Sequence, residues 1–190
     1  MTTRGSKGWS AIRRQLIKRP TEELLALVKD LYEVSAANRD FLQARFQAGT
    51  AGGPALEQYR RMIVEQFFPQ HGFGKLKLAV ARKAIRDYRK ATGDMEGAID
   101  LLLTYVENGT EFTKEFGGIN DAYYNSLDSA LDELARLLLQ SGPVLYARFR
   151  DRVLRVKELA RDIGWGYGDS VADQVARLEM RLGYVQIQSS

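Results

Sequence analysis

Between Leu101 and Ser126 the chain reads LLLTYVENGTEFTKEFGGINDAYYNS, and the side chains able to bind or react collect there. Glu107, Glu111 and Glu115 recur every four residues, a spacing that on an unbroken helix aligns three carboxylates on one face. Asn120 and Asp121 follow closely, so the segment holds the donor types of an oxygen-rich pocket for a hard cation or a polar ligand. Tyr105 contributes a phenol and Asn125 an amide. Asp169 brings a carboxylate from a second glycine-rich stretch, Gly164-Trp165-Gly166-Tyr167-Gly168-Asp169-Ser170. The candidate binding set is therefore Tyr105, Glu107, Glu111, Asn120, Asp121, Asn125 and Asp169.

A structural use of the same residues competes with that one. Gly109 is expected to interrupt the helix, with Asn108-Gly109 ending one segment and Thr110 capping the next. The acids then face water. The adjacent tyrosines Tyr123 and Tyr124 point about 100° apart on a helix, so at most one is expected squarely in the core. Gly164 to Gly168 reads as a turn that packs Trp165 and Tyr167 inward, with Asp169 or Ser170 capping a last helix.

Familiar catalytic patterns do not fit. The chain has no cysteine, which removes disulfides, zinc-thiolate sites and thiol nucleophiles. Its one histidine, His71, lies far in sequence from the carboxylates and has no recognisable nucleophile beside it. Gly72-Phe73-Gly74-Lys75 resembles the end of a phosphate loop. However, Pro69 stands where that loop needs glycine, and Leu76 where it needs a magnesium-binding hydroxyl. No strand precedes the glycine-rich turn at 164–168, so a dinucleotide fingerprint fails as well. No catalytic residue, metal set or cofactor is assigned, and the chain is more in keeping with a binding protein than an enzyme.

Charge gives the second candidate surface. A net charge of +4 hides +9 over residues 1–95 and −5 over residues 96–190. Arg82, Lys83, Arg86, Arg89 and Lys90 crowd one predicted helix, Lys75 to Ala91, and suit contact with phosphates. The acids from Glu96 to Glu133 offer the alternative, in which neighbouring helices neutralise each other.

Helical periodicity dominates the elements that must carry these residues. Leu127, Leu131, Leu134 and Leu138 form a 4-3-4 seam, and Leu145, Phe149, Val153, Val156, Ala160 and Ile163 another. No segment alternates with period two over strand length. The expected fold is all-α, one multi-helix domain arranged as an irregular bundle or a short solenoid-like stack of helical hairpins. A hairpin over 1–48 and a main body over 56–190 flank a glycine-rich linker at 49–55. The longest strongly apolar run, Leu101 to Val106, is far below the roughly 20 residues of a membrane span. The chain is expected to be cytoplasmic, without a membrane partner.

The motifs YVENG, FGGIN, YYNS and GWGYGDS, with TEELLALVKDLYE near the start, resemble a bacterial family of helical proteins catalogued as a domain of unknown function. That resemblance spans nearly the whole chain and implies a compact helical fold, but no activity. The family pattern places Gly-Asp before Ile-Asn, whereas this chain carries Gly117-Gly118, which removes a carboxylate and with it a metal site built on that position. The functional expectation is a non-enzymatic binding or adaptor protein with a polar groove near 105–126 and a protein partner. One alternative is nucleic-acid association through the basic helix, and another is a hydrolytic enzyme relying on the carboxylates.

Overall fold

A computed structural model describes residues 4–47 and 53–184. Among the described residues every regular element is an α-helix, and the fold is all-α. The helices are α1 (Arg4–Leu16), α2 (Thr21–Val34), α3 (Ala36–Gln47), α4 (Pro54–Phe67), α5 (Leu78–Thr92), α6 (Met95–Phe116), α7 (Asp121–Ser141), α8 (Pro143–Ala160) and α9 (Tyr167–Arg181). Chain contacts define two units, Met1–Gln43 and Ala44–Ser190. Most of the expected linker at 49–55, and the tail beyond Tyr184, lie outside the described residues.

In the second unit α6 is the organising element. Ten consecutive residues, Gly97 to Val106, are buried, as befits a helix whose sequence is apolar nearly all round. The paired helices α4 and α5 pack on it, and so do α7 and α8, with α9 closing over α7 and α8. Asp94 starts α6 by accepting a hydrogen bond from the Gly97 N–H at 3.0 Å. Gly93, at φ +71°, ends α5 in the left-handed turn that glycine adopts without penalty.

Gly109 does not break α6, contrary to expectation. A Cβ at this position would lie 2.3 Å from Leu127 Cδ2, so the missing side chain is what lets α7 approach. Helix α9 begins two residues before Asp169. Gly166, at φ +72°, precedes it, and Ser170 donates to Asp128 Oδ1 at 2.9 Å instead of capping. On α3 Phe46 is exposed.

In the second unit opposite charges meet across helices. Arg152 of α8 holds Glu107 of α6 through two bonds, 2.8 and 2.6 Å, and also pairs with Asp100, which Arg60 of α4 shares. Arg150 grips buried Glu179 of α9 at 2.8 and 2.9 Å, and Tyr146 donates to the same carboxylate. Glu179 is held below its ordinary value, chiefly by the Arg150 hydrogen bond. Arg150 and Arg152 are therefore committed to ion pairs within the fold.

Candidate functional site

The end of α6, the start of α7 and the α8–α9 turn come together, and with them the motifs FGGIN, YYNS and GWGYGDS. Three features of sequence shape this junction. Gly117, at φ +89°, stops α6 while its N–H still bonds the Thr113 carbonyl at 2.9 Å. Asn120 caps α7, its Oδ1 accepting from the Tyr123 N–H at 3.0 Å. Gly168 lets the first turn of α9 lie against the end of α8, where a Cβ would sit 2.6 Å from the Ala160 carbonyl oxygen.

Beneath the junction lies a set of satisfied tyrosines. Tyr123 donates to the Gly109 carbonyl at 2.7 Å. Tyr124 meets Thr113 Oγ1 at 2.6 Å while Thr113 donates to the Gly117 carbonyl. Tyr167 meets Thr110 Oγ1 at 2.7 Å, and Thr110 donates onward to Val106. Tyr105 and Ser126 share a 2.7 Å bond. Burial raises the Tyr105, Tyr123 and Tyr167 phenols above their ordinary range, so all three stay protonated. Tyr123 and Tyr124 are both buried, correcting the expectation of one. Partners for both hydroxyls, and packing of α7 against both α6 and α9, make that possible.

Trp165 sits on top, and it is the residue that sequence reasoning misplaced. Expected inward, its side chain is 65% exposed, while Tyr167 alone turns into the core. Its backbone lies at φ +62°, a region that disfavours a bulky residue and marks local strain. The indole stacks on Tyr124, with ring centres 6.1 Å apart and planes at 21°. A Cβ on Gly118 would come 3.0 Å from the indole nitrogen, so the absent side chain there makes room for the ring. Beside it opens a cleft of about 380 Å³, lined by Thr113, Lys114, Gly117, Gly118, Tyr124, Leu159, Asp162, Ile163, Gly164 and Trp165. Its chemistry is an aromatic face, backbone of three glycines, and one cation and one carboxylate at the rim. The signal in the sequence was Trp165 itself, placed between glycines where a left-handed backbone can throw a side chain outward.

The predicted binding set does not gather into one groove. Tyr105 is fully buried and bonded to Ser126. Glu107 is held by Arg152, Asn120 is used as a cap, and Glu111, Asp121, Asn125 and Asp169 are separately exposed. No group of three or more histidine, aspartate or glutamate side chains able to hold a metal ion occurs among the described residues. What the structure brings together is the neighbourhood of that set, with Trp165, Lys114 and Asp162 in place of its members.

The basic helix divides. Arg82 is largely buried, bonds Glu133 of α7 at 2.9 Å and lies over the Tyr105 ring at 5.7 Å. Arg89 shares Glu133 at 3.8 Å, and Lys83 pairs with Asp87 in its own helix. Arg86 and Lys90 remain exposed beside a groove of about 320 Å³ between α5 and α7. A third hollow, about 250 Å³, is lined by the ion-paired side chains Arg60, Asp100, Glu96 and Arg148. No helix among the described residues is long and apolar enough to cross a membrane. Comparison of the chain with protein-family models, curated proteins and solved structures returns no match.

Proposed function

We propose that this chain is a non-enzymatic binding protein that captures an extended segment of a protein partner in the cleft beside Trp165. The observation that supports this reading is an exposed tryptophan held in a strained backbone over a tyrosine, at the mouth of a cleft. Tryptophan concentrates binding energy at interfaces because its large rigid face is desolvated at little entropic loss. Strained backbone kept at an exposed residue is characteristic of recognition sites. Lys114 and Asp162 at the rim suit a polar peptide backbone flanked by charges, and the glycine carbonyls and N–H groups offer it hydrogen bonds.

The test is a random peptide library selected on the intact protein. Peptides enriched on the wild type are expected to lose about 30-fold or more in affinity on Trp165→Ala, the loss of a hot-spot residue. Enrichment indifferent to Trp165→Ala would dismiss the cleft.

Nucleic-acid association is a second reading, favoured by the unpaired pair Arg86 and Lys90 at the α5–α7 groove. With Arg82 and Arg89 committed to Glu133, few phosphate contacts remain, so binding is expected to be weak and strongly salt-dependent. Loss of low-salt RNA or DNA binding in R86E/K90E is its expected signature. For the carboxylate-dependent hydrolase, the carboxylates that the fold does bring together, Asp100 and Glu107, are both held by Arg152.

A further inference from the structure

The first unit poses a separate problem. None of its described residues is buried. Trp9 and Ile12 on α1 are 57% and 54% exposed, and Leu27, Val28 and Leu31 on α2 are 41%, 42% and 47% exposed. Both sets follow helical spacing, so each helix carries an apolar stripe. Among the described residues the two helices make no extensive contact with each other. A unit of this size usually needs a disulfide, a metal or association to hold its structure. Residues 1–43 contain neither cysteine nor histidine, so a disulfide and a typical zinc clip are both excluded.

Charge identifies what covers the stripes. Residues 1–21 hold six basic side chains and no acid, whereas α2 holds Glu22, Glu23, Asp30 and Glu33 against Lys29 alone. We infer that this unit pairs with a second copy of the same chain, α1 of each copy lying on α2 of the other. A two-fold arrangement satisfies both helices at once, because the surface is self-complementary in sign as well as in apolar character. An anionic bilayer or a nucleic acid would attract α1 but repel α2. A second copy suits both.

Sedimentation of the full chain tests this. The expected species has twice the 21.5 kDa monomer mass. L27D/L31D is expected to yield monomer that keeps the helical circular dichroism of the second unit, whose core holds neither side chain. R13E/R14E and D30K/E33K are each expected to weaken association by about tenfold or more, through like charges facing each other. Mixing those two variants, or combining all four changes in one chain, is expected to restore it. A wild type that stays monomeric overturns the inference, including one that instead sediments with phosphatidylglycerol vesicles. So does a dimer indifferent to L27D/L31D, or a charge swap that restores nothing. Trp165→Ala is expected to dimerise as the wild type does, which keeps this test separate from that of the cleft.

Discussion

The two faces of α6 neutralise their polar groups in different ways. Toward α4 and α8, Asp100, Thr104 and Glu107 meet Arg60 and Arg152, so charge answers charge. Toward α7 and α9, Tyr105, Gly109, Thr110 and Thr113 meet Ser126, Tyr123, Tyr167 and Tyr124, and no formal charge is involved. Buried ions are stable only while every partner is present, whereas hydroxyl pairs fail one bond at a time. On both faces these polar groups are taken up by protein partners. The cleft proposed for recognition lies instead at the end of the helix, beside Trp165.

The sharpest way to break this contrast is Arg152→Met, which leaves Asp100 and Glu107 short of a cation. Because Arg152 is itself about a third exposed, the expected loss is about 2–3 kcal/mol, below the 3–5 of a fully buried pair. Urea unfolding measures it, and a loss under about 1 kcal/mol would show the network to be solvent-screened. Next comes Thr113→Val, which strands the buried Tyr124 hydroxyl and should cost about 1–2 kcal/mol. Tyr124→Phe in the same background should recover part of that, and failure to recover any would place the loss elsewhere than in the bond.

Gly109→Ala sets crowding against propensity. Alanine gains about 1 kcal/mol as a helix former but must displace Leu127, so a net loss near 1 kcal/mol is expected. Stabilisation would show that α7 yields.

Glu179 adds a pH dependence of known sign. Its carboxyl is held down in the folded state, so its contribution is present above the ordinary value of 4.5 and is lost as pH falls through the folded value. Thermal melts from pH 6 to pH 3 should therefore flatten in Glu179→Gln relative to wild type. The smallest effect on stability is expected at Trp165→Gly. Losing the contact with Tyr124 is offset by release of the left-handed strain, and the two should cancel to within about 1 kcal/mol.

Much of this architecture was legible in the chain. Periodicity sufficed for the all-α fold, whereas Asn120, read as a binding residue, is used as the cap of α7. What sequence could not reveal were choices made by tertiary neighbours. Gly109 looks like a helix breaker until Leu127 of α7 is placed against it. Tyr124 looks surplus to the core until Thr113 supplies its acceptor. Glu107 looks available for a ligand until Arg152, 45 residues away, reaches it. Trp165 looks like an anchor until the backbone torsion of its turn is known.

Recognition at the end of α6 is tested most directly by the affinity of a selected peptide for three proteins: wild type, Trp165→Gly and R86E/K90E. Calorimetry should show at least about a tenfold weaker dissociation constant for Trp165→Gly at near-unchanged thermal stability, with R86E/K90E within about twofold of wild type. Equal affinity of Trp165→Gly and wild type, or a loss confined to R86E/K90E, would contradict recognition at the end of α6.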